Sequence, residues 1–392
     1  MLKDLENKYI LPTYGRNYTN FVSAKNAVIT DDEGNEYIDF TSGIGVVSVG
    51  HANEKVSNAI CEQVKKITHI SNLYVIEPQV KCAERIVKQS GYDMQCFFAN
   101  SGAEANEGAI KIARKYGEVE DEIKRYKIIT LDQSFHGRTI TALKATGQEA
   151  MHNYFGPFPD GFVYAQDIDA IEALIDDHTV AVMIELVQGE GGVQPLDKAK
   201  VQVLAKMLKK RDVLLIVDEV QTGVYRTGEF LASNLYEIEP DIITMAKGLG
   251  GGVPIGVVMT SKKDVLKAGD HGSTFGGNYL STSAANAVLD ILEEEKNSGE
   301  LDRIFIKFET HLEELLLKYP NVFTQSVGFG LMRGLRVKDA QTLASIIKIA
   351  HEKGVLVLKA GRNTLRFLPP LTISDEEIIE GFKRLDEALS FL

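Results

Sequence analysis

Short apolar runs alternate with amphipathic stretches between about residues 50 and 290 of the chain. Apolar runs of four to seven residues predict buried strands, and the stretches between them have helical spacing. The predicted strands begin the segments QCFFANSG, YKIITLDQSFHG, TVAVMIELVQGEGG, DVLLIVDEVQTG, DIITMAKGLGGG and PIGVVMTS. Strands that alternate with helices need crossover connections, so the pattern predicts an α/β fold with a large, doubly wound, mostly parallel sheet.

Polar and glycine-rich sequences follow these apolar runs. They read NSGAE, FHGR, QGEGG, DEVQ and AKG. Ligands of open α/β sheets bind at the carboxyl ends of the strands, where such sequences meet. We therefore expect one converging site rather than separate surface loops.

The pattern changes after LEEEKNSGELD (292–302), where charged residues become more frequent. Two further strand segments, SVGFGLMRGLRV and LVLKAGRNTLRFLPPL, flank a predicted helix near 339–353. Ser374 and Glu377 form a capping-box pattern that opens a last helix. We predict a large domain over 45–292 and a smaller α/β domain over 293–392, against which the N-terminal segment 1–44 packs.

Size and charge narrow the class of protein. The 392 residues suit two domains, and a net charge of −12 argues against a nucleic-acid partner. The start, MLKDLENKYI, has no signal-peptide core, and no apolar run has the length of a membrane span. The three cysteines show no metal-ligand spacing and suit a reducing compartment. We expect a cytoplasmic protein with no membrane partner and no metal.

Nucleotide binding is the first chemical alternative, because LLIVDEVQ resembles a Walker B strand. A phosphate loop would require Lys and Ser/Thr after its second glycine, but His51 and Ala52 follow Gly50. A dinucleotide fingerprint beginning at Gly248 would need glycine where Val253 stands. The histidines form no H-E-x-x-H pattern, so a zinc-hydrolase site is not indicated either.

Phosphate binding is possible at another place. Ser101, Gly102 and Ala103 lie where a helix should follow a strand, and the free N–H groups of a helix start bind anions. The alternative is that Ser101 merely caps its helix.

A lysine and an acid complete a pattern that suits pyridoxal 5'-phosphate (PLP). Lys247 heads the run KGLGGG, and Asp218 ends the preceding apolar strand. PLP needs a lysine amine for its aldehyde and a carboxylate that keeps its ring nitrogen protonated. Phe135 of the FHGR turn would cover one ring face. A flexible glycine loop with a solvated lysine is the alternative interpretation.

The combination of motifs identifies a family. NSGAEANE, FHGRT, VQGEGG, DEVQTGVYRTG, AKGLGGGVPIG and STFGGN, in this order, resemble the class III PLP-dependent aminotransferases. The resemblance runs from LPTYGRN to RFLPPL and implies the PLP-dependent transferase fold (fold type I). The compact length, FHGRT and HGSTFGGN are most similar to members that transfer the terminal amino group of N2-acetyl-L-ornithine to 2-oxoglutarate.

The resemblance also implies a role for each matched residue. Lys247 and Asp218 would be catalytic. The residues implied to hold PLP are Ser101, Gly102, Ala103, Phe135, Asp218, Val220, Gln221, Lys247 and Thr274, the last reaching across a homodimer. Those implied to bind substrate are Arg138, Glu190, Ser273 and Arg366.

Two substrates must use one site in turn. Glutamate has a carboxylate beside its reacting amine, and a buried arginine could bind it. The terminal amine of acetylornithine has no carboxylate beside it, so the same arginine would be left unpaired with that substrate, which is costly for a buried charge. The resemblance implies that Glu190 pairs with Arg366 and swings away when glutamate binds. A permanent structural ion pair is the alternative.

Ile44 bears on which amine donor the enzyme accepts. Ornithine aminotransferases have a tyrosine in this segment, and isoleucine cannot hydrogen-bond the α-amine of ornithine. The alternatives are another class III ω-aminotransferase, with 4-aminobutyrate, succinyldiaminopimelate or ornithine as its donor, and a non-catalytic binding protein with the same fold.

Overall fold

The computed structural model describes residues 2–118 and 124–392. The strands are β1 (Phe21–Lys25), β2 (Val28–Asp31), β3 (Glu36–Asp39), β4 (Gln95–Ala99), β5 (Lys127–Leu131), β6 (Phe162–Ala165), β7 (Thr179–Ile184), β8 (Val187–Gln188), β9 (Gln194–Pro195), β10 (Leu214–Asp218), β11 (Ile242–Met245), β12 (Gly256–Thr260), β13 (Phe323–Phe329), β14 (Met332–Val337), β15 (Val355–Leu356), β16 (Leu358–Ala360) and β17 (Thr364–Phe367).

The helices are α1 (Leu2–Tyr9), α2 (Ser42–Gly45), α3 (Glu54–Lys66), α4 (Glu77–Ser90), α5 (Gly102–Glu118), α6 (Ile140–Ala145), α7 (Ile171–Leu174), α8 (Lys198–Lys210), α9 (Ala232–Leu235), α10 (Tyr279–Ser298), α11 (Glu300–Lys318), α12 (Ala340–Glu352) and α13 (Asp375–Leu389). Short 3-10 turns span Glu149–Met151 and Lys247–Gly250. No helix in the described part of the chain combines the length and apolar character needed to cross a bilayer.

A seven-stranded sheet forms the centre of the molecule. Its strand order is β4-β12-β11-β10-β7-β5-β6, and the neighbours from β11 to β6 pair in parallel. Strand β12 runs antiparallel to both β11 and β4, so β4 has the direction of the parallel strands. The predicted mostly parallel α/β sheet is confirmed, and the carboxyl ends of β4, β5, β7, β10 and β11 lie along one edge.

Helices cover both faces of this sheet because its strands are apolar on both sides. Ile128 and Ile216 pack in a core with side chains of α5. Their neighbours Ile129 and Leu215 pack in a second core with side chains of α8. Successive strand residues point to opposite faces, so an uninterrupted apolar run is what a doubly covered strand requires.

Two four-stranded sheets are built from residues 21–39 and 323–367, and β8 and β9 form a separate two-stranded sheet. Strands β13-β14-β17-β16 form one, and β1-β2-β3-β15 form the other, in which β3 pairs in parallel with β15. Each C-terminal strand segment of the sequence analysis contains more than one strand. In the first segment, Gly330, with φ of 53°, turns the chain between β13 and β14; the second segment contains the end of β15 together with β16 and β17. The boundaries at residues 44 and 292 remain a prediction.

Candidate active site

A cavity of about 410 Å³ opens at the carboxyl edge of the large sheet. It is bordered by the ends of the five strands that the sequence predicted to converge. The predicted site residues that line it are Ser101, Gly102, Ala103, Phe135, Arg138, Glu190, Asp218, Val220, Gln221 and Lys247. Arg366 does not line the cavity itself but forms an ion pair with Glu190, which does. Ser273 and Thr274 do not line the cavity.

Lys247 follows β11 and has an unusual backbone. Its φ of 44° is in the left-handed region, which costs a non-glycine residue about 1–3 kcal/mol, and such strained residues are enriched at active sites. Ser48 Oγ donates a hydrogen bond of 2.5 Å to the carbonyl of Gly248, the next residue, and thereby holds the turn. Lys247 is half-buried, and Gly248 and Gly250 are buried, so the lysine end of the KGLGGG stretch is not a solvated surface loop; Gly252, at the other end, is exposed.

The surroundings of the Lys247 amine favour its neutral form. Burial lowers its pKa below the usual 10.5; the Glu190 carboxylate opposes this effect, and the Arg366 guanidinium adds to it. Among the described residues, the amine has no hydrogen-bond or ion-pair partner. A lysine with a lowered pKa has a larger neutral, nucleophilic fraction near neutral pH.

Asp218, at the end of β10, is a buried and firmly held carboxylate. His136 Nδ1 and Asn106 Nδ2 each lie 2.8 Å from its Oδ2. The Val220 N–H donates to the other oxygen over 3.0 Å. These contacts fix the orientation of the carboxylate, as required of a partner for a ring nitrogen.

Sequence reasoning missed His136 and Asn106. His136 directly follows the named Phe135, and Asn106 lies four residues after Gly102, on the same face of α5. Helical spacing could have suggested Asn106. Nothing in the sequence indicated that both side chains turn to the acid at the end of β10.

The start of α5 forms an anion cradle. The N–H groups of Gly102 and Ala103 lie in the first turn, where no helical carbonyl can accept from them. Ser101 Oγ accepts from the Glu104 N–H over 3.2 Å, so Ser101 does cap this helix. A Cβ at Gly102 would lie 2.7 Å from a methyl group of Val220, which shows how closely the cradle approaches the end of β10.

Glu185 is a second buried carboxyl group of the cavity, and sequence reasoning did not name it. Its Oε1 accepts from the Phe135 N–H over 2.8 Å, and its Oε2 accepts from the Gly189 N–H over 3.2 Å. Burial raises its pKa from the usual 4.5 to about 7. Glu185 thus ties the FHGR turn to the turn that carries Glu190.

The raised pKa of Glu185 predicts that the free energy of unfolding depends on pH. Between pH 4.5 and about 7, the unfolded chain loses the Glu185 proton while the folded chain keeps it. The free energy of unfolding should therefore fall as pH rises through this window, by at most about 1.4 kcal/mol per unit, and then level off.

Urea unfolding of wild type and Glu185→Gln across that window tests this expectation. The glutamine variant should lose this pH-dependent component, while a Glu313→Gln control, at an exposed position of α11, should keep it. Equal slopes in all three proteins would contradict the assignment.

Glu190 and Arg366 form an ion pair at the cavity. Arg366 Nη1 lies 2.6 Å from Glu190 Oε1 and 3.5 Å from Gln221 Oε1. The Arg366 side chain is only 3% exposed, whereas that of Glu190 is 30% exposed. The arginine is thus fixed in the protein, and the glutamate has solvent beside it.

Of the other residues that the sequence named, Arg138 lines the cavity, whereas Ser273, Thr274 and Ile44 do not. The exposed Arg138 guanidinium lies 5.6 Å from the centroid of the Phe135 ring. Ser273 Oγ accepts from Asn100 Nδ2 over 3.2 Å, and the neighbouring Thr274 is exposed. Ile44 is 42% exposed and has φ of 67°, which is strained for a β-branched residue.

Comparison with known proteins identifies the family of this chain. The aminotransferase class-III family matches residues 12–389, and the chain belongs to this family. The chain is 61% identical over 386 residues to the acetylornithine aminotransferase of Wolinella succinogenes, with 98% of each chain covered.

Solved structures agree in fold. An ornithine aminotransferase from Toxoplasma gondii, with PLP at partial occupancy in its active site, has a TM-score of 0.92 and 34% identity, over 99% of this chain and 93% of that one. The N-acetylornithine aminotransferase of Stenotrophomonas maltophilia has a TM-score of 0.84 and 32% identity, over 99% and 98%. The predicted fold type I is confirmed.

The protein is therefore a PLP-dependent aminotransferase, and its cavity fits that cofactor. When bound, PLP supplies an aldehyde for amines and a protonated ring that accepts electrons. Lys247 offers an unpaired amine, Asp218 a fixed carboxylate, and the start of α5 free N–H groups for a phosphate. All three converge on one cavity.

Proposed function

We propose that this enzyme transfers the terminal amino group of N2-acetyl-L-ornithine to 2-oxoglutarate, giving N-acetyl-L-glutamate 5-semialdehyde and L-glutamate. The reaction would belong to arginine biosynthesis in the cytoplasm. The observation that carries the proposal is the ion pair between buried Arg366 and half-buried Glu190, beside the Lys247 amine. The acetylornithine aminotransferase at 61% identity supports the choice of donor.

Each residue of the cavity receives a role in this proposal. Lys247 would hold the cofactor aldehyde through its amine and, when that amine is free, would act as the general acid and base that takes up and returns the proton of the substrate. Asp218 keeps the ring nitrogen protonated. Phe135, Val220 and Gln221 also line the cavity: Phe135 and Val220 would cover the cofactor ring, and Gln221 would be its hydrogen-bonding neighbour.

The phosphate site would be completed by dimerisation. Ser101, Gly102 and Ala103 hold the phosphate at the start of α5, and Thr274 of the partner subunit reaches it from the other side. Support comes from the position of Thr274, which is exposed and does not line the cavity of its own chain. We accordingly propose a homodimer with shared active sites.

Glu190 would act as a switch between the two substrates. With acetylornithine, whose reacting carbon has no carboxylate, Glu190 stays on Arg366 and neutralises it. With glutamate, the α-carboxylate takes Arg366, and Glu190 moves towards the solvent beside it. Arg138 binds a substrate carboxylate with its planar fork, and Ser273 contacts the substrate.

Single-turnover kinetics of the two half-reactions test the switch. Glu190→Gln should slow the acetylornithine half-reaction, because the uncharged carbon then lies against an unneutralised guanidinium. The glutamate half-reaction should be kept or improved. Truncating one partner of a buried charge pair costs roughly 2–5 kcal/mol, which is readily measured as a rate.

Arg366→Ala should show the opposite asymmetry and lose mainly glutamate and 2-oxoglutarate binding. Arg211→Ala, at an exposed arginine that follows α8 and pairs with Glu172, is the matched control and should change neither half-reaction. An equal fall of both half-reactions in Glu190→Gln would mean that the pair is a static structural one.

A panel of amine donors with 2-oxoglutarate tests the substrate. We expect the highest kcat/KM for N2-acetylornithine, and a low value for ornithine because Ile44 cannot bind its α-amine. Succinyldiaminopimelate and 4-aminobutyrate complete the panel. A higher kcat/KM for any of these three donors would contradict the proposed donor.

A further inference from the structure

A second arginine of the C-terminal sheet reaches the turn that carries Glu190. Strands β14 and β17 are antiparallel, with Arg336 opposite Thr364 and Gly334 opposite Arg366. Opposed residues share a face of the sheet, so Arg336 and Arg366 project from the same face. Both contact residues 189–194, which we call the switch turn.

Arg336 contacts the backbone of the switch turn, whereas Arg366 contacts the side chain of Glu190 in that turn. Arg336 Nη1 donates to the carbonyl of Gly192 and to Thr364 Oγ1. Its Nη2 donates to Gln194 Oε1 over 2.8 Å. The guanidinium is buried, and it forms no ion pair within the described part of the chain. Its hydrogen-bonding capacity is thus directed to neutral groups of the turn and of β17.

The connection between β16 and β17 also holds the switch turn. The Gly361 N–H, in the connection before β17, donates to the carbonyl of Glu190 over 2.9 Å. Gly192 has φ of 113°, and a Cβ there would lie 2.5 Å from the Gly361 carbonyl oxygen and 2.8 Å from Arg336 Nη1. The switch turn therefore fits against the sheet without room for a side chain at this point.

We propose that Arg336 is a positioning residue for substrate selection: it fixes the switch turn so that Glu190 leaves and regains Arg366 by side-chain rotation alone. This inference rests on the proposed function, because it explains how the backbone that carries Glu190 stays in place while the Glu190 side chain moves. If the backbone of the turn were free to move, the Glu190 carboxylate would not return to the same place on Arg366. Only the half-reaction that needs Glu190 on Arg366 would suffer.

Arg336→Lys keeps the positive charge but loses the planar fork that reaches two acceptors. In single turnovers of the holoenzyme, we expect the acetylornithine half-reaction to slow about tenfold and the glutamate half-reaction to change less than about twofold, within the range of couplings between residues in contact. Arg333→Lys is the matched control, because Arg333 lies on the same strand and donates to Glu309, outside the switch turn. It should leave the ratio of the two rates unchanged.

A double-mutant cycle separates positioning from general stability. In a Glu190→Gln background, Arg336→Lys should no longer change the ratio of the two half-reactions, because the group it positions is gone. Gly192→Ala disturbs the same contact from the turn and should reproduce the asymmetry of Arg336→Lys, which keeps the test valid if one variant folds poorly.

The outcomes distinguish the two proposals. Asymmetry in Glu190→Gln, with an equal fall of both half-reactions in Arg336→Lys and Gly192→Ala, would overturn this inference and leave the switch intact. Absence of asymmetry in Glu190→Gln itself would overturn the switch and the inference with it. An undiminished effect of Arg336→Lys in the double variant would also overturn the positioning role.

Discussion

Replacing Lys247 with alanine should lower turnover by about four orders of magnitude or more, because one change removes both the nucleophile and the proton carrier. The variant should still fold, since the Lys247 amine has no partner among the described residues that would be left unpaired. It should also still bind PLP, through Asp218 and the start of α5, but without a covalent bond. Lys247→Arg should not restore activity, because a guanidinium stays protonated.

Borohydride reduction and peptide mapping locate the lysine directly. We expect the reduced cofactor on the Lys247 peptide of the wild-type protein and no label in Lys247→Ala. Lys262, which forms a surface ion pair with Asp241, offers a control: Lys262→Ala should keep the label and the activity. A label on Lys144 or Lys262 would refute the assignment.

Replacing Asp218 with asparagine should lower kcat by about 10²- to 10³-fold while leaving the cofactor bound, because a neutral amide no longer stabilises charge at the ring nitrogen. The amide oxygen can still accept from His136 and Asn106, which now share Oδ2 of Asp218. The fold should therefore be retained. Steady-state kinetics and the absorbance of bound PLP measure the two effects separately.

Asp241 provides the matched control for this variant. It precedes β11, and its Oδ2 accepts from the Leu215 N–H, far along the strands from the cavity. Asp241→Asn should affect stability more than kcat. Near-normal activity of Asp218→Asn would show that Asp218 is only a structural acid at the end of its strand.

The sequence predicted the parts of the site that lie at strand ends. Lys247, Asp218 and the NSGAE turn each follow an apolar run, and parallel strands necessarily bring such ends to one edge. Resemblance to a family then supplied roles for Glu190 and Arg366, which are far apart in the chain but 2.6 Å apart in the structure. Periodicity alone does not predict that contact.

Residues that position other parts of the site could not be predicted from strand ends or from the family resemblance. Glu185 directly follows β7, and its two carboxyl oxygens accept hydrogen bonds from backbone N–H groups of two different turns. No spacing of residues in the sequence indicates such contacts. Arg336 looked like a strand residue, because its role depends on the register of β14 against β17. The left-handed backbone of Lys247 was equally invisible, since a neighbouring glycine would ordinarily be expected to take such a conformation.

The most direct test of the account is to run each half-reaction alone on the purified holoenzyme. N2-acetylornithine without 2-oxoglutarate should convert the bound cofactor to its amine form, with loss of the yellow absorbance and release of one semialdehyde per active site. 2-Oxoglutarate added after removal of the donor should restore the absorbance and release one glutamate. An absorbance that stays unchanged with acetylornithine alone, or changes only when both substrates are present together, would contradict the account.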